Sequence, residues 1–470
     1  MTTPNSTSRI QRTIALIAVT TLFFMWGFIT SMNDILIPEF KGDFNLTYFQ
    51  SFLVQTAFFG AYFVGSVIYF LISIRTGDPI ARIGYKNGML TGLLISGAGC
   101  FLFIPAAANS SYELFLGALF VLGLGLTLLQ ICCNPYVSIL GPEESAASRL
   151  NTAQAFNSLG TTLAPLIGGY FIFQYFFDST QSAGASVKIP YIVLGGVFVL
   201  MAIILWFITL PKMSEEDSIP SSLGAFKFRH LRLGMLAIFV YVGAEVAIGS
   251  SLISYYDELL GIPEKIGTRY LAFYWGGAMI GRFAGAIFLS RLSLVKKLGA
   301  VLAAGFGATY LVFEVSGLAF EQIFYFVIFL LLNFGAFFLG KFKADKTLSI
   351  FSVISAALLL VALVTESYWA LWAVTAIGLF NSIMWSNIFT LAIRGLGKYT
   401  AQGSSLLVMM VVGGAIIPMI QGGLADHFGL QQSFGLLILL YIYLFYYGWR
   451  GSKITDLSKS RKHKSSIDEV

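Results

Sequence analysis

Charge is what this sequence has least of. Asp, Glu, Lys and Arg make up 11% of its 470 residues, against about 25% in an ordinary soluble domain, too few to cover a water-facing surface. Cysteine and histidine are scarce as well, with three of each. Cys100, Cys132 and Cys133 fall in apolar stretches, and no spacing between them and His230, His427 or His463 suits a metal cluster or a disulfide frame, so the cysteines read as packing residues. A phosphate cradle is excluded too, because "GRFAG" at 281–285 lies inside an apolar run with no strand before it and no lysine pattern after it. The formal charge of +6 does not point to nucleic acid. The basic residues sit between hydrophobic runs and in the tail "KITDLSKSRKHKSS", where they carry topology information instead.

What is abundant is apolar: 57% hydrophobic and 16% aromatic residues. The runs reach about 20 residues, the length of a membrane-spanning helix, where barrel strands need only about 10. This predicts an all-α polytopic membrane protein. Helices are expected near 14–37, 49–73, 85–106, 112–139, 151–175, 190–210, 234–256, 270–290, 298–317, 322–340, 348–365, 368–393, 404–424 and 432–449, fourteen in all. The first is read as a retained helix rather than a signal peptide, since no small-residue cleavage site follows it. With the N-terminus cytoplasmic, 24 of the 29 basic residues fall inside, four fall outside (Lys41, Lys188, Lys265, Arg269), and Arg282 lies within a helix. The positive-inside rule therefore favours fourteen helices with both termini cytoplasmic.

One long polar interruption, 211–233, divides the chain near its middle, and faint echoes cross it. "FFGAYFVG" parallels "YWGGAMIG", pairing Gly60 with Gly276, 216 residues apart. "NTAQAFNSLGTTLAPLIGGY" parallels "KYTAQGSSLLVMMVVGGAIIPMIQGGL", pairing Gln154 with Gln402, 248 apart. The difference of about 32 residues is close to two helices. The expected organisation is a six-helix bundle (1–210), a cytoplasmic linker (211–233), a second bundle (234–450) carrying an inserted hairpin near 298–340, and a basic cytoplasmic tail (451–470). A two-helix insertion leaves orientation unchanged, so the repeats are parallel.

Ionisable groups inside a membrane helix are costly and therefore informative. Asp34, in "FFMWGFITSMNDILIP", lies either at the interface or facing protein; its neighbour Asn33 and the nearby Pro38 favour a polar, distortable stretch facing protein or water. Glu245, in "FVYVGAEVAIGS", falls near the bilayer centre, with Tyr241 one turn before it. Arg282 sits low in the eighth helix, where snorkelling or pairing with a loop acid is open to it, a gating or structural role. Gln130 and Asn134 are i,i+4 neighbours able to face one cavity. Trp385 and Asn387 hold the comparable place in the second half, and Gln154 and Asn157 begin the fifth helix on nearly one face. Amides donate and accept, and an indole covers the apolar face of a pyranose, so this set suits a neutral polyhydroxylated ligand. A noncatalytic receptor or scaffold stays open. An integral-membrane enzyme fits poorly, because no histidine, thiol or metal group is placed to share a chemical step with the two acids.

"MNDILIPEF", "CCNPYVSILGPEES", "RLNTAQAFNSLGTTLAPLIGG" and "YVGAEVAIGS" together resemble the fucose permease branch of the major facilitator superfamily, and within it the bacterial glucose/galactose symporters. The resemblance spans nearly the whole chain apart from the inserted hairpin. It implies the major facilitator fold of two parallel six-helix bundles, here with the extra hairpin, in the inner membrane, working as a monomer. It also implies cation symport of a monosaccharide such as glucose or galactose by alternating access, without a cofactor beyond co-transported H+ or Na+. An uncoupled facilitator, or a symporter for fucose, N-acetylglucosamine or another neutral solute, is the alternative. "GDPIARIGYKNG" resembles the superfamily's loop between helices two and three and makes Asp78 and Arg82 gate residues. Asn33 and Asp34 match a motif whose aspartate takes part in proton-coupled transport. Gln130 stands where the fucose permease has a second acid, and Glu245 where it has a glutamine. The resemblance thus implies two relocated coupling acids, Asp34 and Glu245, either of which can take a proton or a sodium ion.

Overall fold

The computed structural model describes residues 9–76, 79–140, 146–176, 184–211, 224–288, 293–341, 343–396 and 400–454. Among them, fourteen long helical segments follow one another: α1 (Arg9–Asp43), α2 (Tyr48–Thr76), α3 (Tyr85–Ala108), α4 (Tyr112–Ile139), α5 (Ala146–Tyr170), α6 (Ala185–Phe207) and α7 (Arg229–Leu260), then α8 (Glu264–Phe288), α9 (Leu294–Ser316), α10 (Phe320–Leu339), α11 (Ala344–Val364), α12 (Tyr368–Ile393), α13 (400–428) and α14 (Leu430–Gly451). This is the fourteen-helix, all-α membrane fold expected from the apolar runs. Helices are the natural outcome, since lipid offers backbone groups no partners and each helix satisfies its own. Eleven are both long and apolar enough to span a membrane by length and composition. Of the other three, α5 is diluted by Gln154, Asn157, Ser158, Thr161 and Thr162, α8 carries Glu264, Arg269 and Arg282, and α10 counts as a shorter apolar helix over Phe324–Leu339. α5 and α8 pack on each other.

The packing repeats. In the first half α1 lies on α5, α4 on α2 and α3, and α3 on α6; in the second, α7 lies on α13, α12 on α8 and α11, and α11 on α14. That is one arrangement used twice, once α9 and α10 are set aside. α9 leans on α8 and α10 on α12, with only sparse contact between them. Glycine makes the equivalent crossings possible. A methyl on Gly160 would overlap the Phe24 carbonyl where α5 meets α1, and a methyl on Gly413 would overlap the Phe239 carbonyl where α13 meets α7. The two halves meet along two related seams, α2 against α13 and α5 against α8, with α1 touching α7 between them.

Two details differ from the sequence expectation. α1 runs unbroken through Pro38, which lies in its last turns, so the helix is not distorted there. α12 is the one that breaks, into Tyr368–Asn381 and Met384–Ile393, and the break leaves carbonyls near its centre without partners of their own helix. The connections that follow the odd-numbered helices define a distal end of the bundle; the first described helix begins, and the last ends, at the opposite, proximal end.

Candidate sugar and cation site

Asp34 lies on α1 with 2% of its surface exposed, so the interfacial reading is set aside and the protein-facing one holds. Four neutral donors surround its carboxylate. Gln55 Nε2 of α2 donates to Oδ1 at 3.0 Å and Ser250 Oγ of α7 at 3.3 Å, while Trp275 Nε1 of α8 donates to Oδ2 at 3.0 Å and Ser31 Oγ at 3.4 Å. Gln55 Nε2 also donates to Ser250 Oγ at 2.8 Å, and Asn33 Nδ2 approaches Gln55 Oε1 at 3.5 Å. Two of these donors belong to the opposite half of the molecule, so the carboxylate binds the halves together. A buried charge with no cationic partner is expensive, and hydrogen bonds from neutral groups offset only part of that cost.

A second polar cluster surrounds Glu245, about 7.5 Å further along α7 from Ser250. Tyr241 Oη donates to Glu245 Oε1 at 2.8 Å and to the Asn381 carbonyl at 2.9 Å. Tyr274 Oη donates to the Glu245 carbonyl at 2.8 Å, Asn381 Nδ2 to Tyr274 Oη at 3.1 Å, and Tyr441 Oη to Asn381 Oδ1 at 2.7 Å. The break in α12 explains part of this: the freed carbonyls of Asn381 and Ser382 are taken by Tyr241 and by Arg282 Nε, the latter at 3.1 Å. Arg282 Nη1 also donates across the seam to Ser158 Oγ at 2.5 Å, and its charge acts on Glu245. Arg282 therefore points into the bundle instead of snorkelling to a loop. Tyr274 and Trp275 join the two clusters, their rings edge to face at 5.0 Å.

The remaining sequence candidates divide. Gln130 is nearly buried beside the Tyr62 hydroxyl, which also neighbours Trp26 and Thr30. Asn134 and Gln154 are half-buried. Trp385 is half-buried and stacks on Phe389 at 5.0 Å, with an interplanar angle of 15°. Asn387 is about 200° round the helix from Trp385, buried, with its amide nitrogen unpaired. The structure does not bring it to the face of Trp385. Asn157 is occupied elsewhere: its Nδ2 donates to the Phe23 carbonyl at 2.9 Å and ties α5 to α1. Arg82 lies in a short helix, Pro79–Ile83, and Asp78 falls outside the described residues. Gln55, Trp275, Tyr274, Asn381 and Tyr441 were missed by sequence reasoning. The first and fourth carried a usable signal, an amide inside an apolar run; the aromatic three did not stand out from packing residues.

At the distal end the second half clamps the turn between α1 and α2. Asp426 of α13 accepts from the backbone N–H of Tyr48 at 2.6 Å and of Phe49 at 2.9 Å, the free donors at the start of α2. Glu258 of α7 pairs with Lys41 at 3.3 Å and accepts from the Tyr48 hydroxyl. A crevice of ≈ 130 Å³ lined in part by Lys41, Asp257, Glu258 and Glu264 lies at this end. Nearer the centre, Thr56 Oγ1 donates to the Ala415 carbonyl at 3.0 Å. The distal halves of the helices are thus closed over Asp34.

The comparisons agree with this architecture. The family model described as Major Facilitator Superfamily matches residues 16–342. A glucose/galactose transporter of Brucella abortus biovar 1 (strain 9-941) is 42% identical over 445 residues, covering 93% of this chain and 94% of that protein. The L-fucose-proton symporter of Escherichia coli (strain K12) is 31% identical over 433 residues, covering 87% and 86%. Among solved structures, the transporter FucP in its outward conformation matches with a TM-score of 0.64 at 28% identity, covering 95% of this chain and all of that one. With the repeated bundle, its two polar seams and the buried acid between them, the chain belongs to the major facilitator superfamily.

Proposed function

We propose that this protein is a secondary active transporter that carries a neutral hexose, glucose or galactose first, together with a proton across the inner membrane by alternating access. The similarity to glucose/galactose transporters and to a fucose-proton symporter supports the substrate class. The observation that carries the coupling is the ring of donors around Asp34. An indole N–H points at one carboxylate oxygen, and an N–H group has no lone pair to offer a sodium ion, a hard cation that takes oxygen ligands. A proton neutralises the same carboxylate at the cost of one donor, and the hydroxyl of Ser31 or Ser250 can rotate to accept from it while the two N–H donors stay in place. Asp34 is accordingly assigned the coupling role and sodium is disfavoured there.

Gln130, Asn134, Gln154 and Trp385 are assigned to the sugar, with the Glu245, Tyr241 and Asn381 group lining the other side; Asn33 acts through Gln55. Arg282, bridging α8 to α5, is assigned to gating, and Asp78 and Arg82 to a second gate at the proximal end. Residues 1–210 and 234–450 form the two moving bodies, 211–233 the linker and 451–470 a cytoplasmic tail, with the protein acting as a monomer. The positive-inside rule favours a cytoplasmic proximal end, and on that reading the clamped distal end is assigned as the closed outer gate. The related structure in an outward conformation supplies the opposite state of the rocking motion.

The test is uptake into proteoliposomes of glucose, galactose, mannose, N-acetylglucosamine and fucose under separate H+ and Na+ gradients. Accumulation of glucose or galactose driven by H+ alone is expected. Equal uptake with and without either gradient would show an uncoupled facilitator, and accumulation of fucose alone would overturn the sugar assignment.

A further inference from the structure

The inserted hairpin α9–α10 has no equivalent in the first half and gives no residue to the site just described. Its surface combines two features. Val295, Leu302 and Phe306 on α9, and Leu331, Leu332 and Leu339 on α10, are each 40% exposed or more, so long apolar faces run outward on both helices. Directly beyond those faces, at the proximal end, the charges are of one sign. Residues 293–300 and 340–347 hold Lys296, Lys297, Lys341, Lys343 and Lys346 against a single acid, Asp345. Lys296, Lys341, Lys343 and Lys346 are exposed.

The register brings these lysines to one level. Gly305 of α9 sits against the Phe334 ring of α10, and the two helices run antiparallel. Lys296 is nine residues from that crossing toward the proximal end, about 13 Å along α9, and Lys341 and Lys343 follow the end of α10 at the same end. Apart from the crossing, α9 and α10 lean on the core more than on each other.

We propose that this hairpin is a binding surface for an anionic phospholipid, with the phosphate held by Lys296, Lys341 and Lys343 and the acyl chains lying along the apolar faces of α9 and α10. The ammonium groups complement a phosphodiester, and a basic cluster between spanning helices at the membrane surface is where such headgroups settle. A soluble anion would satisfy the lysines but leave the apolar faces beside them unused, which is why the lipid is preferred as the source of the phosphate.

The experiment is native mass spectrometry of the full chain in detergent, titrated separately with phosphatidylglycerol, phosphatidylcholine and glycerol phosphate. Phosphatidylglycerol is expected to bind at least tenfold more tightly than phosphatidylcholine. The triple variant Lys296→Gln, Lys341→Gln, Lys343→Gln is expected to lose about tenfold or more in affinity for it, and the same three positions changed to Arg are expected to keep it. The pair Lys227→Gln, Arg232→Gln, at the same end but outside the hairpin, should bind as the unmodified chain does. Equal binding of both lipids, an unaffected Gln triple, or an equal loss in the control pair would each overturn the proposal. So would glycerol phosphate binding as tightly as the lipid. If the Gln triple does not fold, the Arg triple and the contrast between the two lipids on the unmodified chain still decide it.

Discussion

Removing the distal clamp should open that end. The perturbation is the double variant Asp426→Asn, Glu258→Gln, which keeps size and polarity but deletes two charges that cross from the second half to the turn between α1 and α2. Its size follows from the geometry. Asp426 accepts two backbone N–H groups at the start of α2, a charge-assisted arrangement favoured by the helix dipole. It is exposed, however, so water replaces much of what is lost and the contribution is set at about 1 kcal/mol. Glu258 and Lys41 are 41% and 28% exposed, which limits that pair to about 0.5–1 kcal/mol. Together they shift the equilibrium between closed and open by about 1.5–2 kcal/mol, roughly 10- to 30-fold in the ratio of states.

The assay is pulsed electron–electron spin resonance between labels at Asn109→Cys and Lys265→Cys, exposed positions on either half of the distal end; the native cysteines are buried. The double variant should show a larger long-distance population than the unmodified background. An unchanged distance distribution would refute the claim that these contacts hold the end shut.

Further outcomes follow from single positions. Gly160→Ala drives a methyl into the Phe24 carbonyl and should destabilise the protein by about 1–3 kcal/mol, read as a lower melting temperature in detergent, whereas Gly196→Ala, which meets nothing within 4 Å, should not. Trp275→Phe keeps an aromatic ring, though a smaller one, and removes the cross-bundle N–H to Asp34; accumulation should fall while counterflow exchange continues, and unchanged accumulation would remove Trp275 from the coupling network. Trp385→Ala should raise the KM for sugar several-fold and Asn387→Ala should leave it unchanged, since Asn387 lies about 200° round the helix from Trp385; the reverse result would overturn the assignment of Trp385 to the sugar.

Much of this was legible in the sequence because lipid makes its demands one helix at a time. Run length marked the fourteen helical segments, and the 216 and 248 residue offsets pointed to about two extra helices in the second half. Asp34 and Glu245 stood out because a carboxylate in an apolar run has no cheap explanation. What stayed hidden depends on contacts between distant segments. Nothing local marks Trp275 as the donor to Asp34, 241 positions away. Asn157 and Asn387 looked like cavity amides because helical phase alone does not say which face meets a neighbour; one turned out to bond the Phe23 carbonyl and the other to lie off the face of Trp385. Arg282 was placed by counting from the helix end, which misses that Ser158 and the freed Ser382 carbonyl draw it inward.

The central claim is that sugar moves with a proton taken up at Asp34. The direct measurement is external pH around deenergised proteoliposomes when glucose or galactose is added outside. Alkalinisation that tracks sugar entry, and that disappears in Asp34→Asn while sugar counterflow continues, is the result expected. Sugar entry without alkalinisation, or alkalinisation of equal size in Asp34→Asn, would contradict it.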